Sequence, residues 1–132
     1  MIIKIPLLCR SKKNSQQMIF NQRTGKPMLI QSKLYLAFER DCGYFLKRYA
    51  KGIDYPINLK CTFYVPDKRK RDLVNLLNAI QDVLVKYNVI TDDNYNVVMS
   101  VDGSRIIYSK GREETIIEIT RGDKNEVERR NN

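Results

Sequence analysis

Two short stretches of this 132-residue chain carry side chains suited to cutting or gripping a phosphodiester backbone. The first is Pro66-Asp67-Lys68-Arg69-Lys70-Arg71-Asp72-Leu73-Val74-Asn75-Leu76, and the second is Thr91-Asp92-Asp93-Asn94. Consecutive bases attract phosphate, and grouped carboxylates attract a divalent cation. Phosphodiester hydrolysis needs a water activated near neutral pH and charge neutralised on the leaving oxygen, and one or two Mg²⁺ ions supply both. Each ion asks for a pair or more of oxygen ligands held on rigid elements.

The rest of the composition narrows the chemistry. With no histidine in the chain, imidazole bases, His-based triads and His-rich zinc sites are excluded. A metal would be held by carboxylate and amide oxygens, which favour Mg²⁺ or Mn²⁺. Cys9, Cys42 and Cys61 lack metal-ligand spacing and lie in apolar segments, so they read as buried free thiols of a reducing compartment. Neither a membrane span nor a signal-peptide pattern is visible, which predicts a soluble, cytoplasmic protein. The net charge is +9. Lys4, Arg10, Lys12, Lys13, Arg23, Lys26 and Lys33 all precede the first acid, Glu39. That bias points to a polyanionic partner. A basic surface without a specific partner is the plain alternative.

Several elements must position these groups. Residues 2–9 predict a strand with Ile3, Ile5 and Leu7 on one face, bent or at an edge because of Pro6. Residues 10–31 read as a long irregular loop with a turn signal at Thr24-Gly25-Lys26-Pro27. Ser32 is placed to cap a helix reaching about Lys51, with Leu34, Phe38, Cys42, Phe45, Leu46 and Tyr49 as its buried stripe. Gly43 is unfavourable inside it, and Gly52 stops it. Residues 58–65 alternate strictly and form the clearest strand. A second helix is expected from Asp72 to about Tyr87, buried along Leu73, Leu76, Leu77, Ile80, Val83, Leu84 and Tyr87. Asp72, Asn75, Ala79 and Asp82 share its polar stripe. Residues 97–101 and 105–109 predict two strands, either a hairpin through Asp102-Gly103 or one bent strand. Residues 115–120 form the last strand. The expected architecture is α+β: a single domain with a mixed β-sheet and two helices packed on it. It spans 1–120, with 121–132 a charged, disordered tail.

Taken singly, each chemical group has an ordinary reading. Asp72 suits a helix cap, Asp92-Asp93-Asn94 a solvated turn, and Lys68 to Arg71 a solvated loop or a targeting signal. Their combination is what favours a site. For these groups to meet, the acidic turn must fold back beside the N-terminal end of the second helix.

The order and spacing of these residues resemble the RusA family of Holliday-junction resolvases, small endonucleases common in phages and prophages. The resemblance rests on the proline-acid-basic run from Pro66, on Asp72-Leu73-Val74-Asn75, on Asp82-Val83-Leu84 and on Asp92-Asp93. It implies a homodimer and Mg²⁺-dependent paired nicking of four-way DNA junctions in recombination and repair. The family's first catalytic aspartate falls on Asp72 and its third on Asp93, beside Asp92. Its second falls on Val74, and its lysine on Asn78. The expected site is therefore Asp72, Asp93 and Asp92, with Asn75 completing the metal shell and Asp82 or Asp102 as possible compensating carboxylates. Lys68 or Lys70 would stand in for the lysine. Lys68, Arg69, Lys70, Arg71, Lys12 and Lys13 would hold DNA phosphates. Two alternatives stay open: a degenerate relative that binds branched DNA without cutting it, and a single-strand or RNA-binding module using some of the eight tyrosines.

Overall fold

The strand at residues 58–65 proves to be the organising element. A computed structural model describes residues 1–12, 16–31 and 33–122. The elements are β1 (Ile2–Ile5), β2 (Gln16–Phe20), β3 (Pro27–Gln31), α1 (Lys33–Leu46), β4 (Ile57–Val65), α2 (Leu73–Lys86), β5 (Val98–Ser100), β6 (Arg105–Tyr108) and β7 (Glu114–Arg121). In the main sheet β7 lies between β1 and β4 and pairs antiparallel with both. On its other side β4 pairs parallel with β5 near its start and with β6 near its end. This is the expected mixed sheet with two helices.

Alternation decides which face is covered. Leu59, Cys61, Phe63 and Val65 of β4 are buried, as are Ile3 and Ile5 of β1 and Ile117 and Ile119 of β7. All of these but Val65 join Tyr35, Phe38, Cys42 and Leu46 of α1 and Leu76, Leu77, Ile80, Val83 and Leu84 of α2 in one core. Burial of this kind contributes roughly 25 cal/mol per Å² of apolar surface removed from water. The three thiols are in this core. Burial pushes the Cys61 and Cys42 thiols up to about 12, and Cys42 is also raised by Asp41 and Glu39.

The helices meet where Gly43 stands. A Cβ there would lie 2.6 Å from the Tyr87 ring, so glycine lets Tyr87 cross α1. Tyr87 then donates to the Glu39 carbonyl at 2.8 Å, and Lys86 pairs with the Glu39 carboxylate. The residue that weakens the helix by propensity is the one its packing requires.

Other expectations are corrected. The supposed loop 10–31 contains the β2–β3 hairpin, whose strands form a separate two-stranded sheet. Its turn is built by Asn21, whose side chain accepts from Arg23 N at 2.8 Å and whose backbone exchanges hydrogen bonds with Gly25 and Lys26. Gly25 adopts φ +68° there. Helix α1 ends at Leu46 rather than near Lys51 and tightens into a 3₁₀ turn over Lys47–Tyr49. Leu34 is 61% exposed and Tyr35 is buried in its place, because Tyr35, Phe38, Cys42 and Leu46 keep the closer helical register. Ala79 is buried among the core side chains, so the polar stripe of α2 is interrupted. Ser32, Lys13 and the tail from residue 123 lie outside the described residues.

β5 and β6 form one bent strand along β4, and no hairpin. At the bend Asn58 Oδ1 accepts from Asp102 N at 2.9 Å, and Asn58 Nδ2 donates to Asp102 O at 3.2 Å. Ser104 Oγ accepts from Cys61 N at 3.0 Å and donates to Leu59 O at 3.2 Å. A hydroxyl thus satisfies backbone groups of β4 where the neighbouring strand departs. Among the described residues no helix is long and apolar enough to cross a membrane.

Candidate functional site

Asp72 stands where the loop leaving β4 becomes α2. Its Oδ1 accepts from Val74 N at 2.9 Å and Asn75 N at 3.4 Å. It is therefore a true N-cap, the ordinary role read from the sequence. It is also exposed, and the helix N-terminus beside it favours negative charge, whether carboxylate or phosphate. Val74, 63% exposed, and Asn78 are four residues apart and share the outward face just beyond the cap. Asn75 is half-buried.

The basic run divides its labour. Asp67 Oδ1 accepts from Arg69 N at 3.0 Å and from Arg71 Nη1 at 2.9 Å. The Arg71 hydrogen bond, more than the Arg69 amide, holds the Asp67 carboxyl below its usual range. Arg71 also donates to the Asp67 and Arg69 carbonyls, and its side chain is only 15% exposed. It ties the loop together. Lys68, Arg69 and Lys70 are exposed, and Lys68 Nζ lies 5.3 Å from the Tyr108 ring centre.

A second loop joins this end. Ser109 N donates to Val65 O at 3.0 Å and Gly111 N to Pro66 O at 3.2 Å. These bonds seat the β6–β7 turn, with Lys110 and Arg112, against the basic loop. The Arg112 guanidinium stacks on Tyr64 at 3.5 Å and pairs with Glu114 at 2.7 Å. Lys110 and Arg112 were missed by sequence reading. They lie some forty residues beyond the basic run, and only the pairing of β6 with β4 brings them to it.

The acidic turn goes elsewhere. Thr91 N donates to Ile53 O, and Val97 O accepts from Ile57 N. Asp92 and Asp93 are thus at the start of β4, whereas Asp72 is beyond its end. Asp92 Oδ1 accepts from Asp93 N at 2.7 Å, and both acids are exposed. The fourteen residues of α2 lie between the two groups, a length of about 21 Å at 1.5 Å per residue. The fold-back needed to unite them within one chain does not occur, because β4, α2 and β5 form a parallel crossover whose helix runs the length of the sheet. Asp82 pairs with Lys12 at 3.1 Å on the flank of α2, and Asp102 sits at the bend of the edge strand. Among the described residues no three acidic or cysteine side chains group closely enough to hold a metal ion.

This α+β frame agrees with the family comparison. The model of the family described as Endodeoxyribonuclease RusA matches residues 11–120, and the chain belongs to that family. A curated relative, the crossover junction endodeoxyribonuclease RusA of Aquifex aeolicus (strain VF5), is 40% identical over 76 residues. The match covers 56% of this chain and 58% of that relative, so the chain spans less than two thirds of the relative's length.

Proposed function

We propose that this protein is a divalent-metal-dependent endodeoxyribonuclease that resolves four-way DNA junctions by paired nicks. Family membership supports the reaction class. The observation that carries the assembly is the separation of Asp72 from Asp93 by the length of α2. The oxygens of Asp72, Asn75, Asp92 and Asp93 suit a hard cation such as Mg²⁺ or Mn²⁺, but a single chain does not gather them. Two copies meeting end to end do: Asp72 and Asn75 of one copy face Asp92 and Asp93 of the second. When bound, the ion supplies an activated water and neutralises charge on the leaving oxygen.

The chain's own residues prepare the substrate. Lys68, Arg69, Lys70 and Lys110 hold phosphates on either side of the cut, and the α2 N-terminus adds its backbone dipole. Lys12 and Lys13 extend the footprint, with Lys12 shared with Asp82. Two-fold symmetry gives two identical sites, as paired nicking of a symmetrical junction requires. Selectivity comes from DNA shape and the spacing of the sites, because the exposed cations meet backbone. Residues 1–120 form the nuclease domain in this reading, with the charged segment after it outside the catalytic frame.

Complementation tests the shared site. Asp72→Asn and Asp93→Asn are mixed, denatured, refolded together and given a labelled four-way junction with Mg²⁺. Each mixed dimer keeps one site with both carboxylates, so about a quarter of wild-type nicking returns for random pairing. A mixture as inactive as its components sinks the shared site. Junction binding by the wild-type protein, with no nicks in Mg²⁺ or Mn²⁺, sinks the enzyme reading.

A further inference from the structure

The β2–β3 hairpin takes no part in the site described above. Its strands pair with each other and not with the main sheet. From Phe20 to Met28 every residue is exposed except the half-buried Asn21. Phe20, the last residue of β2, is 71% exposed, and it pairs across the ribbon with Pro27. A single exposed aromatic is ordinary on a protein surface, and it is the charge beside Phe20 that sets it apart.

The setting indicates what covers it. Arg23 and Lys26 lie within the same turn as Phe20, and the first 38 residues contain no acid. The turn is also preorganised. Asn21 N donates to Lys26 O at 2.9 Å, Gly25 N to Asn21 O at 2.8 Å, and Lys26 N to Thr24 Oγ1 at 3.3 Å. A hydrogen-bonded turn carrying one aromatic and two cations, in a segment of sequence without acids, matches stacked bases between phosphates. A protein partner burying Phe20 would have to bury or pair two cations as well. Where the arms of a four-way junction are unstacked, the bases at the crossover lack a stacking partner on one side, so they are cheap to displace.

We propose that Phe20 is a wedge that enters the junction at its branch point and stacks on an exposed base, with Arg23 and Lys26 held to the flanking phosphates. This deepens, and rests on, the junction-resolving reading, and it makes Phe20 a specificity-determining residue separate from the set of cutting carboxylates. Apolar or aromatic side chains inserted between base steps open and bend duplexes elsewhere by this route. The wedge also favours the open form of the junction, in which the two scissile strands lie symmetrically.

The test places 2-aminopurine beside the branch point of a four-way junction and follows its fluorescence with wild-type protein, Phe20→Ala and Phe20→Trp. Wild type raises the fluorescence as the probe loses its neighbour. Phe20→Ala loses that rise and about tenfold in junction nicking, whereas affinity for linear duplex changes less than twofold. Phe20→Trp restores both signals. A rise in Phe20→Ala equal to wild type, with unchanged nicking, overturns the wedge alone. So does a change of sedimenting mass in Phe20→Ala without loss of the signal, which would assign Phe20 to contact between copies. A wild-type protein that binds and cuts no junction removes the resolving reading and the wedge with it.

Discussion

At the end of β4 the chain surrounds one capping carboxylate with cations from two loops. At its beginning it leaves two adjacent carboxylates exposed, and Asp92 and Asp93 make no ion pair among the described residues. On the proposed reading the first end is suited to phosphate and offers one ligand to a metal, and the second offers ligands and repels phosphate. Neither is a complete site, and the helix between them keeps them apart. The contrast explains how a small domain can carry opposite charges without their cancelling. On the proposed reading, the assembled dimer, and not the folded chain, is the unit able to bind metal.

The sharpest way to break this comparison is to remove one carboxylate from each end. Asp72→Asn and Asp93→Asn should each lower junction nicking by about a hundredfold or more in single-turnover assays, a loss comparable to removing a principal electrostatic contact. Both should leave the thermal midpoint near wild type, since Asn caps as well as Asp and Asp93 is exposed. Unchanged nicking in Asp93→Asn would dissociate the acidic end from the chemistry.

A smaller effect separates the two roles of Asp72. Asp72→Ala removes the acceptor for Val74 N and Asn75 N and should cost about 1 kcal/mol in urea unfolding, whereas Asp72→Asn should cost a few tenths. Equal stability of the two variants would show that the cap is not formed.

The smallest effect concerns Asp67. Its clamp on Arg71 lowers its folded pKa, so the clamp is intact above the unfolded carboxylate range and is lost as pH falls through the depressed folded value. Side-chain NMR of Arg71 should report a hydrogen-bonded guanidinium at neutral pH and its release in acid. Asp67→Asn should release it at every pH. Freed from its carboxylate, Arg71 joins the phosphate contacts, and the slope of log affinity against log salt steepens by about one. An unchanged slope would mean that Arg71 stays buried without Asp67.

The parts that could be read from the sequence share one property: their pattern is local. The alternation of Leu59, Cys61, Phe63 and Val65 marks β4, and the spacing of Leu76, Leu77, Ile80, Val83 and Leu84 marks α2. Asp72 as a cap followed from its place before that run. The hairpin was missed because its strands are short, and Thr24-Gly25-Lys26-Pro27 was taken only as punctuation within a loop. The role of Gly43 was hidden because it depends on Tyr87, more than forty residues away. The separation of Asp72 from Asp93 depends on strand pairing, which is not local. If the strand before a helix and the strand after it pair in parallel, residues flanking that helix fall at opposite ends of the sheet. The residues of β5 and β6 fit a hairpin or one bent strand equally well, and only the parallel pairing with β4 decides between them. Arg71 looked like its neighbours in the basic run, and only the geometry of Asp67 separates it from them.

The broken edge strand has a consequence for how copies assemble. β5 and β6 are only three and four residues long, and their bend places the Ser104 hydroxyl where a continuous neighbour would offer peptide groups. The opposite edge, β1, is four residues long and is followed at once by Pro6. Short, interrupted margins of this kind discourage strand addition. Growth of copies into an extended, continuous sheet through either edge is thereby discouraged.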